Sequence, residues 1–313
     1  MKADLRFSSP EQRASAGSDV GGWSKGLGKS VAFSSAPHSA AIVVGHPGTG
    51  IKEQTSGLYA RSLASQGFIT LAFDAAHYGE SGGEPRYLED PYQRVEDFRN
   101  AVSFLSTLDG EVDPERIGTV GICSSGGFSI FAAQTDQRIK AVATVNGVCV
   151  GTMTRNSMKD PSGAIDQALL QPGLVWAGRE RTSEARGNPP TTISILDTFA
   201  EAADYYQTPR GQHPRCANLQ LARSLDTIAS YDSFAFIDWI SPRPLLMIIG
   251  SEADKGNDGD PADTGRYSRM AIERAREPKE LFVIKGLGHI DLYDHMSESV
   301  PKLADFMGRA LCA

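Results

Sequence analysis

Short apolar runs without polar alternation recur along this chain, and stretches of helical periodicity separate them. The runs are AAIVVG at 40–45, ITLAF at 69–73, RIGTVG at 116–121, IKAVATV at 139–145, PLLMII at 244–249 and LFVI at 281–284. A strand covered on one face alternates apolar and polar side chains. One covered on both faces has no polar side, so it reads as an unbroken apolar run. Between the first two runs the sequence predicts a helix over 53–66. Another follows over 91–108, where Val95, Phe98, Val102 and Leu105 share one face. Strand and helix in alternation imply an α/β chain with a mostly parallel sheet and helices on both faces.

Residues 149–230 interrupt that rhythm. They offer no clear strand, several Gly and Pro breaks, helical patches such as 192–206, and the aromatics Trp176, Phe199, Tyr205 and Tyr206. An insertion of this kind between consecutive strands suits a helical lid, with a dimer surface as the alternative. The expected organisation is a lead-in over 1–38, a core formed by 39–148 and 231–313, and the lid between them. Residues 11–38, rich in Ser, Gly and Ala, read as loosely ordered.

Composition narrows the function classes. The net charge of −7 and the lack of any basic cluster argue against nucleic-acid or anionic-membrane partners. No stretch approaches the roughly 18 apolar residues of a membrane span. The first residues lack the apolar core of a secretory signal. Cys123, Cys149, Cys216 and Cys312 have neither CxxC nor Cys/His ligand spacing. They read as reduced thiols of a cytoplasmic protein, and nothing in the sequence requires a metal or cofactor.

The segment Gly-Ile-Cys-Ser-Ser-Gly-Gly at 121–127 follows a buried strand and opens a helix. A nucleophile on such a turn adopts a strained backbone, so its neighbours two residues away must be small. Gly121 and Ser125 satisfy that requirement around Cys123. A nucleophile at Ser124 would put branched Ile122 at the crowded position, whereas Ser125 remains a sterically possible alternative. The helix N-terminus would favour a thiolate at Cys123. His-Pro-Gly-Thr-Gly at 46–50 ends an early strand and suits an oxyanion hole, with donors from Ser124 and from Gly48 or Thr49. His289, on a Gly-rich loop after the last run, is the expected base. The acid should lie on the loop over 250–260, with Asp254 first and Glu252 as the alternative; Asp258 and Asp260 read as solvated charges. Tyr205, Tyr206, Arg210 and Trp176 are candidate substrate contacts, Arg210 either for a carboxylate or as an anchor of the lid.

These motifs appear together with Lys-Glu-Gln at 52–54, Phe-Asp at 73–74, Gly-Glu-Ser-Gly-Gly at 79–83, Asp-Pro-x-Arg-Ile-Gly from 113, Asp-Tyr-Tyr-x-Thr-Pro-Arg-Gly from 204 and Gly-His-Ile-Asp-Leu-Tyr-Asp from 288. The span from about 39 to 310 thereby resembles the dienelactone-hydrolase-like branch of the α/β-hydrolase superfamily, which is related to X-Pro dipeptidyl-peptidases and prolyl oligopeptidases. The resemblance implies the α/β-hydrolase fold and a Cys-His-Asp triad in which Cys123 is the nucleophile and His289 the base. It also implies cleavage of an ester, thioester or lactone of a small-molecule acyl substrate, within a branch that serves polyketide and toxin biosynthesis. Transfer of the acyl group, cyclisation, lyase chemistry on the same scaffold, or mere ligand binding are the alternatives, and a homodimer is plausible.

Overall fold

The computed structural model describes residues 29–32, 39–156, 164–197, 200–253 and 263–312. The core elements up to the insertion are β1 (Lys29–Ala32), β2 (Ser39–Gly45), α1 (Thr55–Ala64), β3 (Ile69–Phe73), α2 (Pro91–Leu105), β4 (Val112–Ile122), α3 (Ser124–Thr135) and β5 (Ile139–Val145). The insertion holds α4 (Val150–Arg155), α5 (Gln167–Ala185), β6 (Thr192–Ser194), α6 (Ala200–Tyr206), β7 (Leu219–Leu221) and α7 (Ser224–Ala229). The core resumes with β8 (Leu245–Gly250), α8 (Gly265–Arg274), β9 (Lys279–Ile284) and α9 (Ser299–Leu311).

One seven-stranded sheet runs in the order β1-β3-β2-β4-β5-β8-β9. Every pairing in it is parallel except that of β1, which lies antiparallel on β3. The unbroken apolar runs find their explanation here. Along β2, Ala41 and Val43 face a core built with α2, α3 and α8 through Phe98, Val102, Phe128 and Tyr267. Ala40, Ile42 and Val44 face a second core built with α1 and α9 through Tyr59, Leu63, Leu303 and Met307. Both faces are buried, so the strand has no solvent side on which polar residues could alternate.

The structure departs from the sequence expectation in two places. Residues 29–32 of the lead-in form an edge strand. The insertion is not wholly helical, because β6 and β7 pair antiparallel and 192–206 splits into β6, a single 3-10 turn at Ile195–Asp197 and α6. Three-residue strands carry too few side chains to show a period in sequence.

A buried ion cluster ties β2 and β3 together beneath their carboxyl ends. Asp74, directly after β3, accepts from the Lys52 amide at 2.8 Å and from Lys52 Nζ at 2.7 Å, and it takes the Glu80 amide at 2.9 Å. Lys52 Nζ also reaches Glu80 at 2.6 Å and Glu53 at 3.1 Å. The three carboxylates gather as a cation site would, but the ammonium already supplies the positive charge among them. A β-carbon on Gly79 would sit 2.3 Å from the Asp74 carboxyl carbon, which explains that glycine in the motif.

Lys52 and Asp74 are both nearly inaccessible to water. Removing Lys52 strands the Asp74 carboxylate, which costs about 3–5 kcal/mol. Lys52→Met should therefore lose about that much in urea unfolding. Glu96→Gln, which removes the solvent-exposed partner of Arg99, should stay within about 0.5 kcal/mol of the parent.

Candidate active site

Cys123 stands alone between the end of β4 and the start of α3, with φ 54° and ψ −120°. A non-glycine residue in this region costs of order 1–3 kcal/mol and persists only where its surroundings enforce it. Three backbone hydrogen bonds do so. The Cys123 amide donates to Val145 O at 3.0 Å, and its carbonyl accepts from the amides of Gly126 at 2.9 Å and Val148 at 3.1 Å. The flanking residues are small by necessity: a β-carbon on Gly121 would lie 2.1 Å from Ser125 O, and one on Gly126 would lie 2.5 Å from the Gly147 α-carbon. Ser125 is engaged otherwise. Its buried hydroxyl donates to His46 O at 2.5 Å and accepts from Arg94 Nη2 at 3.1 Å.

The loop after β2 closes beside this turn. Gly50 N donates to Pro47 O at 3.2 Å, and Thr49 takes a φ of 57°. His46 is fully buried, its Nε2 accepting from Ala75 N at 3.0 Å and its Nδ1 lying 2.7 Å from Pro47 O. Burial and nearby Arg94 hold its pKa well below the ordinary value, so it is a neutral structural ring. Gly48 lies against the turn, where a β-carbon on it would come within 3.6 Å of Ser124 Oγ, and the amides of Ser124 and Gly48 are near the Cys123 sulfur. Two buried hydroxyls nearby, Ser124 Oγ and Thr49 Oγ1, have no hydrogen-bond partner among the described residues.

His289 arrives on the loop after β9 and is almost wholly buried. Its Nδ1 lies 2.8 Å from Thr264 Oγ1, and its Nε2 lies 3.4 Å from the Tyr293 hydroxyl. That hydroxyl thus stands beside the imidazole, near the Cys123 sulfur. Asn146 fixes the loop: its Nδ2 donates to His289 O at 2.8 Å, and its Oδ1 accepts from Gly250 N at 3.1 Å. Burial pushes the His289 pKa down to about 4 and raises that of the half-buried Cys123 thiol above its usual range. The resting pair at neutral pH is thus a thiol and a neutral imidazole, contrary to a thiolate favoured by the helix terminus. Desolvation outweighs the helix end here.

Asp254, Asp258 and Asp260 lie outside the described residues, and the Glu252 carboxylate accepts from Ser251 Oγ at 2.9 Å. The sequence reasoning missed Thr264, Tyr293, Asn146 and Arg94. Only Tyr293 carried a signal, standing four residues after His289 in the same motif.

From the insertion, Tyr205 and Tyr206 are buried and meet edge to face at 5.0 Å; Tyr205 meets Tyr293 in the same way at 5.2 Å. A β-carbon on Gly50 would come within 3.4 Å of the Tyr206 hydroxyl, so that tyrosine reaches the loop of 46–50. Two candidate substrate contacts have partners within the chain. Arg210 already grips Asp294 with Nε at 2.9 Å and Nη2 at 2.8 Å and holds Asp204 with Nη1 at 2.5 Å, so it anchors the insertion to the histidine loop. Glu201 reinforces that attachment by accepting from Ile290 N at 2.8 Å. Trp176 is exposed on α5 and donates to Glu180 of its own helix at 3.0 Å. Phe199 lies outside the described residues.

The depressed His289 pKa has a stability consequence. The unfolded imidazole binds a proton near pH 6.5, whereas the folded one resists until about pH 4. Stability is therefore complete above the unfolded value and falls as pH drops from about 6.5 toward 4. Between pH 7 and pH 5 the parent should lose about 2 kcal/mol more than His289→Ala in urea titrations. His46 contributes a slope of the same sign to both proteins.

The comparisons agree with this geometry. Residues 42–301 match the model of the alpha/beta hydrolase family. The uncharacterized protein YcjY of Escherichia coli K12 is 36% identical over 283 residues, covering 87% of this chain and 89% of that protein. The thiohydrolase aneE of Aspergillus aculeatus is 27% identical, with coverage of 68% and 69%. The crystal structure of the hypothetical protein PA2218 from Pseudomonas aeruginosa superposes with a TM-score of 0.81 at 32% identity, covering 92% of this chain and 95% of that one. With its parallel sheet, strained turn and histidine loop in this order, the chain belongs to the alpha/beta hydrolase family and has the alpha/beta-hydrolase fold.

Proposed function

We propose that this protein cleaves thioesters, activated esters or lactones of small organic acids through an acyl-enzyme on Cys123, in the manner of the dienelactone-hydrolase-like branch. The observation that carries this reading is the placement of one sulfur on a strained turn, beside the Gly48 loop and with a buried neutral imidazole across Tyr293. The Cys123 sulfur attacks the acyl carbonyl, and its proton passes to His289. The amides of Ser124 and Gly48 hold the oxyanion; one such donor is worth about 10²–10³ in rate. The tetrahedral adduct collapses, the bond to the leaving group breaks, and protonated His289 supplies that group with a proton. Water, deprotonated by the same ring, then releases the acid and restores the thiol.

The choice of acyl donor follows from leaving-group chemistry. A thiolate is expelled more readily than an amine, so an adduct on Cys123 collapsing over an amide returns to substrate. Over a thioester the two exits are balanced. The relationship to a fungal protein named thiohydrolase supports the same class. Asp254 is our assignment for the acid that orients His289, alongside Thr264 at Nδ1. The paired Arg210 and the exposed Trp176 are left out of the substrate site. Among the described residues no helix is long and apolar enough to cross a membrane. We place the protein in the cytoplasm on its uncoordinated cysteines.

Kinetics on a small acyl thioester, read by the thiol released, test the assignment. Cys123→Ala and His289→Ala should each lower kcat/KM by at least about 10³, and the double variant should be no worse than either, because the pair acts as a unit. Ser125→Ala should stay within about tenfold of the parent. Cys123→Ala at parental activity would refute the nucleophile. Formation of an ester in place of free acid when an alcohol is added would reassign the reaction as acyl transfer.

A further inference from the structure

Arg94, on α2, is buried against the backs of two chain segments that form the site. Its Nη2 donates to His46 O at 2.8 Å and to Ser125 Oγ at 3.1 Å, and the Ser125 hydroxyl donates to His46 O at 2.5 Å. The three groups close a triangle that joins α2, the root of the loop of 46–50 and the first turn after the nucleophile. The guanidinium lies over the Phe128 ring, 5.1 Å from its centre. The buried Glu89 carboxylate is 3.7 Å from Nη1, too far for a hydrogen bond. Among the described residues neither Nη1 nor either Glu89 oxygen has a hydrogen-bond partner.

Stability does not explain such an arginine. Taking a guanidinium and a carboxylate out of water is costly, and an incompletely bonded pair recovers little of that cost. Apolar side chains of similar volume often serve a core as well or better. They cannot hold two oxygens with one nitrogen. Here the two oxygens belong to facing walls of the site. His46 begins the loop that carries Gly48, and its ring is fixed separately by Ala75 N at 3.0 Å. Ser125 follows Ser124, whose Oγ would lie 3.6 Å from a β-carbon on Gly48.

We propose that Arg94 is a positioning residue which, by clamping His46 O to Ser125 Oγ, sets the gap between the Gly48 amide and the turn that bears Cys123. The proposal rests on the acyl-enzyme reading above. Its hydrogen bonds go to the walls of the site and not to the sulfur. A preset gap matters most when charge develops on the acyl oxygen, because donors fixed in advance stabilise an oxyanion only where it forms. Binding of the uncharged substrate demands less of that spacing. Loosening the clamp therefore lowers kcat and leaves KM nearly unchanged.

Arg94→Met removes both bonds and keeps much of the side-chain volume. On an acyl thioester its kcat should fall about 10- to 100-fold, with KM within about threefold of the parent. An aldehyde analogue of the acyl group, whose carbonyl takes up the Cys123 thiol as a hemithioacetal, should bind more weakly by the factor lost from kcat. Arg94→Lys keeps the charge on a shorter side chain without the planar fork and should recover part of the lost kcat. Val95→Ala is the control, since this neighbour on α2 is buried in the apolar core and has no hydrogen-bonding group. It should lose stability in urea unfolding and keep kcat within about threefold of the parent. Parental kcat in Arg94→Met, an aldehyde affinity that stays parental while kcat falls, or an equal loss of kcat in Val95→Ala would overturn the clamp. If Arg94→Met does not fold, Arg94→Lys decides: kcat and aldehyde affinity lowered by a common factor support the clamp, and parental kcat overturns it. Cys123→Ala separates this claim from the reading beneath it. If Cys123→Ala is active, the nucleophile assignment fails; if it is inactive while Arg94→Met is normal, only the clamp fails.

Discussion

The strained backbone at Cys123 is the constraint on which the rest of the site depends. Holding a side-chain-bearing residue at φ 54° is unfavourable by of order 1–3 kcal/mol, and the fold offsets it with hydrogen bonds to β5 and to the first turn of α3. The same demand propagates outward. Gly121 must lack a β-carbon because Ser125 O occupies that space, and Gly45 must lack one because Phe98 and Ser125 press against it. In return the turn presents Cys123 at the carboxyl end of β4, beside the loop of 46–50.

The site is assembled from three chain segments that meet only in the folded protein. The turn at Cys123 comes from β4, the loop of 46–50 from β2, and the His289 loop from β9. Each has its own brace. The Lys52–Asp74 pair braces the second, and Asn146 spans from β5 to both Gly250 and His289 to brace the third. The insertion braces the third segment again, through Arg210 on Asp294, Glu201 on Ile290 and Tyr205 on Tyr293. The insertion and the loop that bears His289 are therefore mechanically connected.

How much of this was legible in sequence follows from where each signal resides. The sheet was legible because strands buried on both faces cannot hide their composition, and the observed ends fall within a few residues of those expected. Cys123, Ser124, Gly48 and His289 were legible because steric rules at a tight turn and chain order around the sheet are written locally, and the structure brings all four together. Thr49, the alternative to Gly48, sits in the same loop with a φ of 57°. Thr264, Asn146 and Arg94 were invisible because each is an ordinary polar residue whose role arises from a partner far along the chain. Arg94 even sits inside an amphipathic helix beside Val95, where a charge predicts solvent, yet it is buried against His46 O and Ser125. Arg210 reads equally as a carboxylate contact or as a lid anchor, and its partners are those of an anchor. Residue type within an insertion suggests a ligand contact, but the partner that satisfies the side chain is set by tertiary packing.

The most direct measurement of the central claim is mass spectrometry of the protein quenched in acid during turnover of an acyl thioester. The account predicts a mass increase equal to the acyl group, located on the peptide that contains Cys123 and removed by hydroxylamine at neutral pH as a thioester is. An adduct on Ser124 or Ser125, stable to that treatment, would contradict it.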